Sequence, residues 1–212
     1  MTAAEIIEEN VSVLPEYIRV PISFQVKSRF RVEPVQNGLG GLRLIEEPVV
    51  PYIKDYDALE SPVQWLQNWD IVNWGVLSAF VGKQRVGGAV IAWKTEGVDM
   101  LGGREDLAVL WDLRVSPDFR GKGLGRKLFD RAVDWMRERD CVQLYVETQN
   151  INVPACRFYA RQGCELGAIN RFVYKDLDEI QLLWYKNILL SAEKERSIKP
   201  KIIHVFKVPI YF

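Results

Sequence analysis

Val109-Leu110-Trp111-Asp112-Leu113-Arg114-Val115-Ser116-Pro117-Asp118-Phe119-Arg120-Gly121-Lys122-Gly123-Leu124-Gly125 is the stretch that decides the fold. Up to Ser116 its residues are apolar or β-branched, interrupted only by Asp112 and Arg114, which predicts a strand; Ser116-Pro117-Asp118 ends it, because proline cannot donate to a ladder. From Leu124 onward the apolar residues Leu124, Leu128, Phe129, Ala132, Trp135 and Met136 recur at spacings of three and four, with charges between them. That periodicity predicts an amphipathic helix running to about Arg139. Between strand and helix, Gly121, Gly123 and Gly125 let backbone N–H groups approach an anion, and the helix N-terminus adds its positive dipole end. Arg120, Lys122, Arg126 and Lys127 surround the loop with positive side chains, which suits a diphosphate. A Walker loop would need Ser or Thr where Gly123 stands, and a dinucleotide fingerprint would need glycine in place of Arg126.

The 212 residues, 48% of them hydrophobic, suffice for one well-buried domain and are short for two. Twenty-eight basic residues balance twenty-eight acidic ones, so no global field recruits nucleic acid or an anionic membrane. Cys141, Cys156 and Cys164 have neither paired metal spacing nor an even count, which points to reduced thiols in a cytoplasmic protein without a metal. No apolar run reaches the length of a membrane span, and Met1 to Glu5 lacks a signal peptide's basic start. His204 is the single histidine, which disfavours histidine-dependent triads.

Outward from the central stretch, residues 1–15 read as a polar lead-in. A first strand is predicted at 22–32, a second at 42–46, and a hairpin of 74–81 with 85–94 about Gly82-Lys83-Gln84, with Gly87-Gly88 marking a bulge. Tyr52 to Trp69 reads as helix and loop; there Asp55, Asp57 and Glu60 alternate with Tyr52, Tyr56, Trp65 and Trp69. Acids beside aromatic faces suit a cationic amine, and equally a solvated helix over buried tryptophans. After the central helix, 141–148 alternates strictly, and the strand–helix–strand order implies a right-handed crossover to a parallel neighbour. Asn152 to Gly163 has a capping residue, an early proline and a terminal glycine, which predicts a short helix. Residues 172–175 and 180–185 are expected to pair as a final hairpin, the run 193–196 to be helical or disordered, and 202–208 to add a strand. The expected organisation is one domain over 1–188 with a C-terminal extension at 189–212.

Arg120, Gly123 and Gly125 resemble the signature of the GNAT superfamily of acetyl-CoA-dependent N-acyltransferases: Gln or Arg, two residues, Gly, one residue, Gly or Ala. Asn152, Ala155 and Tyr159 match that family's second half position by position. A group of GNAT enzymes, the streptothricin acetyltransferases, is similar over about 107–187, through Glu147-Thr148-Gln149, Asn152-Val153-Pro154-Ala155-Cys156, Tyr159-Ala160, Leu166-Gly167 and Trp184-Tyr185. The resemblance implies an α/β fold in which a mixed sheet splays between two parallel strands and is flanked by helices. It implies that acetyl-CoA is held by the backbone of Leu113, Arg114 and Val115, by the loop Arg120, Gly121, Lys122, Gly123, Leu124, Gly125, Arg126 and Lys127, and by Asn152, Ala155 and Phe158. By the same match Tyr159 would protonate the departing thiolate, a role a neutral phenol can fill.

Aminolysis of a thioester needs a neutral amine, yet alkyl amines are protonated at neutral pH, so a carboxylate should collect the proton. Asp112 and Glu147, each near the point where its strand meets a loop, are the candidates. Backbone N–H groups near Leu113 would stabilise the oxyanion. The implied activity is transfer of acetyl to a small-molecule primary amine of the β-lysyl class, by a monomer or homodimer. The alternatives are acetylation of a protein lysine or another amine metabolite, and a module that binds acyl-CoA without turnover.

Overall fold

The computed structural model describes residues 4–188; the expectations for 189–212, His204 included, lie outside them. Seven strands form one sheet in the order β1-β4-β5-β6-β7-β9-β8. Its members are β1 (Glu5–Glu9), β4 (Gly75–Val81), β5 (Gln84–Trp93), β6 (Leu107–Val115), β7 (Gln143–Gln149), β8 (Glu165–Asn170) and β9 (Gln181–Asn187). A separate two-stranded ribbon is made of β2 (Phe24–Pro34) and β3 (Leu42–Lys54). Helices α3 (Leu124–Glu138) and α4 (Val153–Arg161) cover one face of the large sheet, packing Leu128, Phe129, Ala132 and Tyr159 on Ala89, Ile91, Ala108 and Leu110. On the other face α1 (Leu14–Tyr17) and α2 (Pro62–Asn68) bury Leu14, Tyr17 and Trp65 against Val76, Val90, Ala92 and Val109.

β6 and β7 are parallel neighbours joined by α3, as the strand–helix–strand order requires. The hairpin β4–β5 also forms as predicted, with a register shift after Ala79 beside Gly87. Three expectations are corrected. Residues 5–9 are an edge strand antiparallel to β4: its acids are anchored from outside the strand, where Glu8 accepts from the Trp135 indole at 2.7 Å and from Arg139 at 3.2 Å, and Glu9 pairs with Arg85. The second ribbon strand runs to Lys54 through Pro48 and Pro51, so Tyr52 is strand; a two-stranded ribbon has an open edge on each strand where proline forfeits no ladder bond. The last hairpin pairs β9 with β8, not with 172–175. A register shift between Leu166 and Ala168 interrupts the alternation that would have marked β8, while Phe172, 81% exposed, belongs to no strand.

The ribbon is tied to the sheet where β7 ends. Asn150, 3% exposed, donates from its side chain to the Phe30 carbonyl at 2.8 Å and accepts the Ile180 N–H at 2.8 Å, while its backbone exchanges bonds with the same two residues.

Candidate active site

The two parallel strands pair only over Leu107–Val109 and Gln143–Tyr145. Beyond that, β6 stays with β5 as far as Gly87↔Val115, and β7 stays with β9 as far as Gln149↔Gln181. The sheet therefore opens between them. The Ser116 N–H donates to Val86 on β5, so by alternation the N–H groups of Leu113 and Val115 point into the opening. Buried strand donors need partners, and an extended ligand with its own amides can supply them.

At the end of β6 the glycine loop leads into α3. Gly121 and Gly123 have φ of +72° and +83°, in the left-handed region, with open space where a side chain would stand. The first intrahelical bond runs from Lys127 N–H to Gly123, which leaves the N–H groups of Leu124, Gly125 and Arg126 free of an acceptor within the helix. Such an arrangement, at the positive end of a 15-residue helix, has the geometry of an anion cradle. Gly125 packs under Phe158, whose ring would lie 3.6 Å from an added Cβ, and Phe158 meets Phe129 edge to face. Leu124 is buried in the core and anchors the loop.

The positive side chains divide. Arg120 does not aim at the cradle: its guanidinium donates to the carbonyls of Val115 at 2.8 Å, Pro21 at 3.2 Å and Ser23 at 3.1 Å, and so ties the segment after α1 to the end of β6. Burial lowers its pKa. Lys122 reaches the Asp118 carbonyl at 2.6 Å, and Arg126 lies 3.6 Å from Asp130 on the exposed surface. Lys127 is exposed in the first turn of α3.

Across the opening, the Asn152 side-chain oxygen caps α4 by accepting the Ala155 N–H at 3.2 Å. One turn further, Tyr159 is only 7% exposed and its hydroxyl has no partner among the described residues; no fully buried polar side-chain atom there lacks one, so this oxygen touches solvent. Burial, then the negative Asp112, then the Cys164 and Cys156 thiols push its pKa well above the tyrosine range. The phenol stays protonated. The cysteines are free and buried, their pKa values raised to about 11 chiefly by burial.

The opposite face of β6 carries a largely buried charge network. A bulge at Trp111, opposite the step from Val90 to Ile91, breaks the side-chain alternation. Leu110 therefore faces α3, Trp111 and Asp112 both face α1, and Arg114 follows Asp112. Asp112 accepts from Arg114 Nε at 2.9 Å and Nη2 at 2.7 Å, and from the Tyr17 hydroxyl at 2.6 Å. Tyr17 can lie there because Gly88 leaves room for its ring, which would stand 2.3 Å from a Cβ. Arg114 also bonds Asp57 through both terminal nitrogens, at 2.9 and 3.0 Å, and the Val20 carbonyl at 3.1 Å. Burial is the largest single influence on the arginine's pKa and lowers it; the charge and hydrogen bonds of Asp112, with Tyr17 and the hydrogen bond to Asp57, together outweigh burial and raise it. Asp112 and Arg114 side chains thus meet each other on the α1 side of the sheet.

Glu147 lies on β7 on the same sheet side. It accepts from the Tyr174 hydroxyl, from Gln149 at 3.1 Å and from Gln181 at 2.6 Å. Burial and then Glu147 raise the Tyr174 pKa. Next to it Glu179, 8% exposed, pairs with Lys54 and accepts from Tyr56 at 3.1 Å. Trp111 meets Trp65, Trp69 and Trp74, with ring centroids 6.3, 5.0 and 5.3 Å away, so the tryptophans of 65–74 belong to a packed cluster. A cavity of about 260 Å³, lined by Gln143, Tyr145, Leu183 and Tyr185 among others, opens further along this face. The site residues that sequence reasoning did not name are Tyr17, Asn150, Tyr174 and Glu179. None sits in a motif, and Tyr17 is 95 positions from its partner.

Among the described residues no group of side chains could hold a metal ion, and no helix is long and apolar enough to cross a membrane. The chain is 30% identical to the streptothricin acetyltransferase of Escherichia coli over 184 residues, 83% of this chain and 94% of that one. Streptothricin acetyltransferase A of Bacillus subtilis (strain 168) is 37% identical over 81 residues, and the match spans just 47% of its length. The fold matches a nourseothricin acetyltransferase with a TM-score of 0.69 at 24% identity, covering 89% of this chain and all of that one. A Bacillus anthracis str. Ames protein solved in complex with acetyl coenzyme A matches with a TM-score of 0.68 at 24% identity, covering 87% and 99%. Residues 42–164, more than half of the chain and including the splayed strands, the glycine loop and Tyr159, match the model of the Acetyltransferase (GNAT) family, and to that family the chain belongs.

Proposed function

We propose that the protein transfers the acetyl group of acetyl-CoA to a primary amine of a small molecule with a lysine-like arm, of the kind carried by streptothricin. The observation that carries this reading is the juxtaposition, at one opening in the sheet, of an anion cradle, free strand N–H groups and a protonated phenol that has no partner among the described residues.

In this reading the N–H groups of Leu124, Gly125 and Arg126 bind the diphosphate, and Leu113 and Val115 take the pantetheine amides as a partner strand would. The half-buried amide of Asn152 orients the arm, and Ala155 and Phe158 wall it. The new C–N bond forms as the C–S bond breaks; the amine nitrogen loses one proton and Tyr159 delivers one to the sulfur. The Leu113 N–H faces the developing oxyanion. Glu147, half-buried on β7, receives the amine's proton directly or through water. Asp112 is not assigned that role, because its side chain is 4% exposed and paired with the buried Arg114 guanidinium.

Thiol release on mixing the protein with acetyl-CoA and streptothricin, β-lysine and a protein-lysine peptide tests the reading. Turnover with the first two is expected. Tight binding of acetyl-CoA with no thiol release from any amine would overturn it in favour of a binding module.

A further inference from the structure

The network on the α1 side of β6 holds two carboxylates, Asp112 and Asp57, against one guanidinium, Arg114, and so has an excess negative charge. Its members are graded in depth: the Arg114 side chain is 0% exposed, Asp112 4% and Asp57 17%. Asp57 is therefore the point at which the network meets solvent. It stands in the loop between β3 and α2, and Arg114, which holds it, lies on the part of β6 that has already parted from β7. The bidentate contact occupies one lone pair on each Asp57 oxygen and leaves the outward pair of each free to accept again. Behind the network, the phenol of Tyr159, which has no partner among the described residues, lies within the field of Asp112.

Resting on the function proposed above, we propose that Asp57 is the anchor for the cationic nitrogen of the acceptor, held at the lip of the opening by the strut Tyr17–Asp112–Arg114. Arg114 neutralises only one of the two carboxylates, so the site keeps a charge that an ammonium can complete. An anchor fixed at both oxygens loses little freedom on binding, so it selects cationic acceptors over neutral ones of the same shape. Neighbouring Asp55 has a different part: it is exposed and accepts the Asp57 N–H at 3.1 Å, a bond an amide oxygen can also accept.

The experiment compares the parent, Asp57→Asn and Asp55→Asn in three measurements: acetyl-CoA binding, cadaverine binding by calorimetry, and KM and kcat for a diamine acceptor. With Asp57→Asn the amine KM and the cadaverine Kd should rise on the order of tenfold or more, as expected on losing a charged hydrogen-bond partner. Its kcat should stay near the parent's and its acetyl-CoA affinity should be unchanged, while its melting temperature falls because the buried Arg114 loses one of its two carboxylates. Asp55→Asn should behave as the parent. A folded Asp57→Asn with parental amine KM and cadaverine affinity overturns the anchor, as does a fall in kcat at constant KM. If Asp57→Asn does not fold, the salt dependence of cadaverine binding to the parent decides: weakening with salt supports a charge contact, and indifference overturns it. A parent that binds acetyl-CoA but acetylates nothing refutes the proposed function separately, and the cadaverine titrations then still judge Asp57.

Discussion

Replacing Asp112 with asparagine separates an ion-pair role from a catalytic one. The substitution keeps size and shape but turns one oxygen, now accepting from Arg114 at 2.7 Å or shared by Arg114 and Tyr17, into an N–H₂ that faces donors. Arg114, with its side chain 0% exposed, would keep one carboxylate, Asp57, beside the Val20 carbonyl and the remaining side-chain oxygen at 112. Breaking one side of a buried ion pair costs about 3–5 kcal/mol, and the surviving Asp57 contact puts this case near the lower end. At about 2–4 °C per kcal/mol for a chain of this size, the melting temperature should drop by roughly 6–12 °C. Thermal unfolding followed by near-ultraviolet circular dichroism reads this directly, since Tyr17 and the tryptophans lie around the network. A general base, in contrast, would leave melting unchanged and cost about a hundredfold or more in rate. Asp112→Asn melting together with the parent, whatever its rate, would refute the ion-pair account.

Gly123→Val puts a β-branched residue at φ +83° in the cradle and should abolish measurable acetyl-CoA binding by calorimetry in a folded protein, whereas Gly125→Ala, whose Cβ meets Phe158 at 3.6 Å, should bind as the parent. Tyr159→Phe should turn over about a hundredfold more slowly while binding acetyl-CoA and melting normally. Because burial and Asp112 raise the phenol's pKa, it remains an acid where free tyrosine has ionised. The parent's rate should therefore climb with pH as the amine deprotonates and show no descending limb below about pH 10; such a limb would refute the raised pKa of the acid. Asn150→Ala strands the Phe30 carbonyl and the Ile180 N–H in a buried place and should cost about 2–4 kcal/mol, with hydrogen exchange accelerated in the ribbon first.

Local signals were enough for the parts of the protein that are contiguous in the chain. The apolar spacing of α3, the alternation of β7, the glycines before Leu124 and the cap at Asn152 each act within a few residues, through steric limits and backbone hydrogen bonds that neighbours in sequence supply. The crossover between β6 and β7 followed because a parallel pair needs a long, one-handed connection. Other features depend on partners that sequence order does not bring together. The strand character of 5–9 rests on β4 more than sixty residues later, and β8 is hidden by a shift that exists only against β9.

The candidate carboxylates show the difference most clearly. Strict alternation would place Asp112 and Arg114 with Leu110 on the α3 face; the bulge at Trp111 moves them to the other. A bulge is a mismatch between two strands, so no single strand's residues reveal it. Likewise Arg120 carries the positive charge expected beside a diphosphate, yet three carbonyls that folding gathers from residues 21, 23 and 115 claim its guanidinium. The sequence by itself determined which chemistry the chain carries, the glycine loop, the tyrosine and the acids. Only the tertiary structure decided which of those charges are spent on one another and which still face the opening, because burial and long-range pairing, not residue type, set what a charged group can do.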